Sequence, residues 1–507
     1  MRRGPTAAVA ATILLLSTLL SGAPAGATQP RRGAPPAPAA GSAGIGDTYY
    51  PEYGNGGYDV SHYDVRLRYD PATDRLAGTT TILARATASL SRFNLDFALA
   101  VSSVRVNGRV AGFAQAGSHE LVVTPARPLL IGSAFTVVVQ YADVPSDVVV
   151  DGITTGTRTA DGALAVNEPE IAWWWYPSND HPQDKATFDI SVLVPDGVEV
   201  ISNGVQPLPP RGELLGWTRW FWRTTSPIAT YLAYLVIGQY EIVTDTAPNG
   251  QPVINAYSER LDRLAPAARA SVERTAEVIE WESTVLGPYP FEAQGGVAGP
   301  PDGVGFALET STRPVYGWRF WRGGANPYVI VHELAHQWYG DSVSLQQWHD
   351  IWLNEGFASY VEWLWSEAHD EGTAQEVFDF AYATYPADDP FWQVLPGDPG
   401  PTALFDGAVY DRGAMTLHQL RLAVGDDAFF RILRVWAAEH RWGNASTPQF
   451  IALAERISGQ QLDDLFTTWL YTAGRPALTS APATVTTMAA PSRPRSWPTL
   501  TNHVDRG

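Results

Sequence analysis

The sequence predicts an α+β multidomain chain: an N-terminal antiparallel β saddle or sandwich, then a mainly α domain. Three observations predict it. Up to about residue 240, short runs alternate apolar and polar positions, as half-buried strands do. From about Pro248 the apolar residues recur at helical spacing instead. One of those later stretches, NPYVIVHELAHQWYGD from Asn326 to Asp341, sets two histidines four residues apart on an apolar helix with a glutamate between them.

The chain opens MRRGPTAAVAATILLLSTLLSGAPAGATQP. Arg2 and Arg3 give a positive start, an apolar run follows from about Ala7 to Leu20, and Ala25-Gly26-Ala27 is a small-x-small cleavage signal. Residues 1–27 read as a secretory signal peptide, and the run is too short for an ordinary membrane span. An uncleaved anchor is the alternative. Residues 28–43 are Pro, Ala, Gly and Arg without periodicity and read as a disordered leader. The chain has no cysteine, so an exported protein must be held by its core, or by its core and a metal.

The β-rich domain is expected over residues 44–247. YDVSHYDVRLRYD places Tyr63, Val65, Leu67 and Tyr69 on one face. Asn107-Gly108 between two short runs is a strong hairpin signal. The run Trp173-Trp174-Trp175-Tyr176 could be a carbohydrate platform, but aromatics near a domain junction are more often packing, and packing is expected here. The second domain is expected over 248–475. Its helices are placed at 327–339, roughly 355–368, 411–423, 427–440 and 448–457, with a little strand near 296–310. Residues 476–507 are rich in Pro, Ala, Ser and Thr and read as a disordered tail.

The helix at 327–339 has recognisable ends, with Asn326 at the N-cap, Pro327 at the first helical position and Gly340 just past the end. Residues four apart share a face, so His332 and His336 point the same way. Two imidazoles on one face are half of a zinc site, and Glu333 beside them can reach an activated water without binding the metal. A third ligand is needed. The metzincin pattern would have glycine at 339 and histidine at 342; the chain has Tyr339 and Ser342. The other pattern draws a glutamate from the next helix. Glu355, in DIWLNEGFASYVEWLW, follows His336 after eighteen residues (337 to 354). His332, His336 and Glu355 are therefore expected to hold one Zn2+, with Glu333 as general base.

HELAHQWYGD followed by WLNEGFA resembles the M1 family of zinc aminopeptidases, the gluzincins, over roughly residues 45 to 475. The resemblance implies a saddle-like β-domain before a thermolysin-like catalytic domain. It also implies further site residues. GFALETSTRP falls at the family's GxMEN motif and puts Glu309 at the glutamate that binds the substrate's α-ammonium. Phe306, Leu308 and Thr310 replace the motif's glycine, methionine and asparagine. AVYDRGAMTL is similar to the Tyr-x-Lys-Gly-Ala stretch, making Tyr410 the hydroxyl that steadies the oxyanion, with Arg412 at the lysine position. NEPEIAWWWYPSNDHPQDKATFDI resembles the end of the β-domain. There Glu170 matches the residue that helps hold the amine, and Glu168 a less direct position. Lys185, the only lysine, is expected to pair with a carboxylate near the wall of the site. The long helical C-terminal domain of many members is not recognisable, so a more open cleft is expected.

The function expected is a secreted zinc aminopeptidase acting on peptides with a free N-terminus. A net charge of −19 argues against nucleic acid and anionic membranes as partners. No second stretch is long and apolar enough to span a bilayer. The rivals are a thermolysin-like secreted endopeptidase, an epoxide-opening enzyme with a lipid tunnel, and a zinc-containing, non-catalytic surface-binding protein.

Overall fold

The computed structural model describes residues 37–150, 152–154, 157–478 and 491–501. The signal peptide expected over 1–27 lies outside them. Strand Tyr58–Asp70 shows why the first half is β. Its burial alternates along most of its length, with Tyr63, Val65, Leu67 and Tyr69 inside. It pairs antiparallel with Arg75–Ala86 and parallel with Thr187–Pro195, at the centre of an eight-stranded sheet. The hairpin signal at Asn107-Gly108 is met. Both residues have positive φ (50° and 73°), and they join Val101–Val106 to Arg109–Val110. Two four-stranded sheets accompany the large one. Trp173, Trp174, Trp175 and Tyr176 are all buried, so this run is packing.

Two expectations of disorder are corrected within the described residues. Ala39–Ala40 pairs parallel with Leu90–Asp96, and Ala43 and Gly44 bridge to Asn55. These contacts use backbone groups, so a leader without large apolar side chains still adds to a sheet edge. In the expected tail, residues 491–501 fold onto the catalytic half, with Trp497 and Leu500 buried.

The second half carries more strand than its sequence suggests. A five-stranded sheet runs Tyr240–Thr246, Pro252–Ser258, Gln294–Ala298, Val315–Tyr316, Ala307–Leu308. Its first hairpin crosses the border expected at 247/248. The helices are α1 (Ala265–Val272), α2 (Thr275–Leu286), α3 (Pro327–Ala335), α4 (Trp352–Ala368), α5 (Ala374–Thr384), α6 (Gly407–Val424), α7 (Asp426–Glu439), α8 (Thr447–Ser458) and α9 (Asp463–Leu470). Helices α3 and α4 are buried on nearly all sides, and α4 packs against both α3 and α6. That three-helix contact places the site.

Candidate metal centre and substrate cavity

Helix α3 begins as its sequence predicts. The Asn326 side chain accepts hydrogen bonds from the N–H groups of Tyr328 and Val329, and Pro327 follows at the first turn. It ends earlier than 339. After Ala335 the bonds tighten to i→i−3, with Gln337 N–H to Leu334 O at 3.0 Å and Trp338 N–H to Ala335 O at 3.1 Å. Gly340 then turns the chain at φ 129°. His332 thus lies on the last turn of α3 and His336 at its C-cap.

The two rings face one carboxylate. His332 Nε2 and His336 Nε2 lie 3.3 and 3.4 Å from Glu355 Oε2. Tetrahedral ligands at about 2.0–2.1 Å from zinc stand roughly 3.3 Å from one another, so the three atoms fit that ion. The far side of each ring fixes its tautomer. His332 Nδ1 is 2.7 Å from Glu362 Oε1, and His336 Nδ1 is 3.1 Å from the Tyr339 carbonyl. Both acceptors require the proton on Nδ1, which leaves Nε2 bare for a metal. Two imidazoles and a carboxylate, each oriented from behind, are a donor set that fits Zn2+.

Electrostatics separate the carboxylates. Burial alone would raise Glu355, but His336 and His332, charged when no metal takes their Nε2 lone pairs, outweigh it and hold its pKa at about 2. Burial dominates at Glu333 and pushes it up to about 8, against the pull of the same two histidines. One carboxylate therefore stays ionised, as a ligand must, while its neighbour has a high proton affinity.

Glycines bring α6 into the site. A Cβ on Gly356 would lie 2.9 Å from Gly413 Cα, so α4 and α6 meet backbone to backbone. This contact sets Tyr410, one turn before Gly413, over the metal ligands. Its ring stacks on His332 with centroids 5.9 Å apart and planes 20° apart.

A cavity of about 460 Å3 opens on this group, lined by Glu168, Phe306, Glu309, Glu333, Phe405 and Tyr410 among others. Glu309 is buried at the end of the Ala307–Leu308 edge strand and accepts a hydrogen bond from Tyr231 Oη at 3.0 Å. Its carbonyl is held at 2.9 Å by Gln337 Nε2, the residue after His336. Donor atoms of Glu309, Glu333 and His336 lie within 4.8 Å of one another.

Two expectations about individual residues change. Glu168 lines the cavity and Glu170 does not. The segment is not a strand, so residues two apart need not share a side. The Asn167 side chain instead closes a turn onto the Glu170 carbonyl, and the Glu170 carboxylate is drawn to Tyr53. Among the described residues Lys185 pairs with no carboxylate by hydrogen bond; its Nζ donates to the carbonyls of Asp341 at 2.7 Å and Ser342 at 3.0 Å. Burial lowers its pKa to about 7. Arg412 is buried away from the cavity and donates to the carbonyls of Trp392, Val394, Thr468, Trp469 and Thr472, tying loops to α6. No sequence pattern assigns a role to Glu362 or Tyr231, although Glu362 lies two turns beyond Glu355 on the same face of α4.

Known proteins resemble this chain in sequence and in fold. A family model described as Peptidase M1 N-terminal domain matches residues 60–232, and one described as Peptidase family M1 domain matches residues 324–469. Aminopeptidase N of Streptomyces lividans is 31% identical over 366 residues, 65% of this chain and 41% of that protein. Aminopeptidase M1-B of Oryza sativa subsp. japonica is 28% identical over 333 residues, 60% of this chain and 36% of that protein. The chain thus spans well under half the length of these relatives. The M1 zinc metallopeptidase of Deinococcus radiodurans has a crystal structure with 30% identity and a TM-score of 0.76, covering 87% of this chain and 100% of that one. A mutant of it is known bound to a Tyr-Ser-Ala substrate, with TM-score 0.76 and 30% identity over 89% of this chain and 99% of that one. With this fold, this donor set and this match over the whole of a two-domain relative, the chain belongs to the M1 family of zinc metallopeptidases.

Proposed function

We propose that the protein is an exported zinc aminopeptidase that removes the N-terminal residue of peptides. The observation that carries this reading is the placement of Glu309, a buried carboxylate whose donor atom lies within 4.8 Å of those of Glu333 and His336. In a peptide the α-amine stands two bonds from the first carbonyl carbon. An ammonium paired with Glu309 therefore sets only the first peptide bond beside the metal ligands. Glu168, on the same cavity, is a second partner for that ammonium. Buried carboxylates discriminate strongly, because a blocked amine leaves them unpaired.

His332, His336 and Glu355 hold the zinc. When bound, it polarises the scissile carbonyl and acidifies the attacking water. Glu333 takes the proton of that water and returns it to the leaving amine. Tyr410 directs its hydroxyl to the oxygen on which negative charge develops. Phe306 and Phe405 give the cavity apolar walls. The peptidase substrate named for the Deinococcus enzyme, Tyr-Ser-Ala, has a free amine of the kind this reading requires. Export rests on the N-terminal sequence alone, and recovery of a chain beginning near Thr28 from culture medium tests it.

The test of the activity is hydrolysis of Ala-Ala-Phe-Ala with a free and with an acetylated N-terminus, products identified by mass. Stepwise loss of residues from the free peptide alone is expected. Internal cleavage of both at similar rates would make the protein a secreted endopeptidase on the same metal. No turnover of either, with zinc bound, would favour a binding protein.

A further inference from the structure

Glu362 is buried, and its two oxygens have different partners. Oε1 accepts from His332 Nδ1 at 2.7 Å. Oε2 accepts from the backbone N–H of Thr501 at 2.8 Å. Thr501 also lines the substrate cavity, together with Glu333 and Tyr410. One residue near the end of the chain therefore touches both the support of a metal ligand and the space where substrate sits.

The segment that delivers Thr501 is anchored along its length. Arg495 reaches the Asp370 carbonyl at 2.6 Å. Ser496 Oγ accepts from Ser366 Oγ at 2.8 Å, on the last turn of α4. Trp497 packs edge-on against Phe380 of α5, centroids 4.9 Å apart. Trp497–Thr499 form a 3-10 turn, and Leu500 is buried. These contacts fix the height at which the chain passes Glu362.

We propose that residues 491–501 are a working part of the zinc site. The Thr501 N–H holds Glu362, Glu362 holds the His332 ring with Nε2 turned to the metal, and the Thr501 side chain closes one wall of the cavity. Thr501 is a positioning residue. A carboxylate that supports a metal-binding histidine does so only while its own direction is fixed. Without the Thr501 N–H, Oε2 would lack a partner in a dry environment, and Glu362 would turn to seek one. The inference rests on the reading of His332, His336 and Glu355 as the zinc ligands.

The full-length chain tests it through Thr501→Pro, which removes the N–H. Leu500 already has φ −58° and ψ 138°, the conformation a residue before proline adopts, so the residue before the substitution needs no change of backbone. Zinc release to a chelator is the readout. In Thr501→Pro it should quicken by about 10-fold or more, the usual scale for losing a partner of this kind. Thr501→Ala keeps the N–H and should release zinc within about 2-fold of the parent, while its KM for tetrapeptides shifts because the wall is opened. Trp497→Ala, at a residue that is not among those lining the cavity, should follow Thr501→Pro by loosening the anchor. Release at the parent rate in both Thr501→Pro and Trp497→Ala, with zinc demonstrably bound, overturns the inference and leaves the zinc site standing. A parent chain that takes up no zinc overturns both.

Discussion

A methyl group added at Gly356 tests whether the close meeting of α4 and α6 builds the site. In Gly356→Ala the new Cβ falls 2.9 Å from Gly413 Cα and 3.0 Å from its carbonyl carbon. Both are backbone atoms, so no side chain can swing away. Ordinary contact needs about 3.6–4.0 Å between carbons, and the helices must part by roughly 1 Å. Overpacking of this kind costs about 1–3 kcal/mol. Alanine returns about 1 kcal/mol of helix propensity. The net expectation is a loss of about 0–2 kcal/mol. Activity should suffer more than stability. Glu355 precedes Gly356, and Tyr410 lies one turn before Gly413, so separating the helices shifts the hydroxyl from the metal face. A displacement of that size can lower kcat by about 100-fold. Gly413→Ala makes the reciprocal contact, 2.8 Å to Gly356 Cα. Once one methyl has parted the helices, the second costs less, so the double variant should lose less than the sum of the singles. The assays are urea unfolding and steady-state hydrolysis at matched zinc content. A Gly356→Ala enzyme that is more stable by about 1 kcal/mol, with unchanged kcat, would refute the reasoning, since propensity alone would then describe the site.

Two further outcomes are expected. Tyr410→Phe should retain zinc and KM but lower kcat by about 100- to 1000-fold, the scale for one oxyanion donor; an unchanged kcat removes Tyr410 from the chemistry. His418, between Tyr360 Oη and Gln375 Oε1 at 3.1 Å each, is held neutral, burial and the Arg421 charge lowering its pKa from 6.5 to about 4. Between those values the unfolded chain binds a proton that the folded chain refuses, so stability falls as pH drops from about 6.5 to 4, by up to roughly 3 kcal/mol. His418→Gln should flatten that slope in urea unfolding, and parallel curves for the two proteins would exclude His418 as the cause.

The parts of the site that were legible in sequence are those fixed by helix periodicity. His332, Glu333 and His336 share one turn of α3, and Glu355 is carried by the next helix, so spacing alone constrains them. Glu362 obeys the same periodicity but has no signal of its own, because a glutamate in a helix is usually solvated. Where the chain is irregular, spacing loses meaning. Glu168 and Glu170 differ by two positions in a segment without strand alternation, and the turn closed by Asn167 decides which one enters the cavity. In the five-stranded sheet, Ala307–Leu308 and Val315–Tyr316 are two residues long, Pro252–Ser258 is buried on both faces, and Gln294–Ala298 carries two glycines, so no period-2 pattern accumulates there. The C-terminal segment holds through a handful of contacts, chiefly Trp497, Leu500 and backbone groups, among prolines and serines. Composition averages such contacts away, and only the folded α4–α5 surface shows what they meet.

The cavity's preference for a cation follows from where the chain spends its own. Glu168, Glu309, Glu333 and Glu355 line one space, with Asp341 and Glu362 behind it. Burial, and then the charges of Glu309, Glu355, Glu333 and Asp341, drive the Glu168 pKa well above the carboxylate range. Among the described lining residues there is no lysine or arginine. Three basic side chains of this half are committed to backbone carbonyls: Lys185 to Asp341 and Ser342, Arg412 to five carbonyls below α6, Arg313 to Ile254, Ser202 and Gly204. They brace the walls without neutralising the space between them. On the proposed reading the charges that complete it come from outside, as a metal ion against His332, His336 and Glu355 and as an ammonium against Glu309 and Glu168. This selection is local. At physiological salt the field of a −19 surface fades within about 8 Å, whereas charges in a water-poor cavity are screened far less. Reversing surface charge should therefore alter the rate at which peptides arrive, and leave the preference for a free N-terminus where Glu309 sets it.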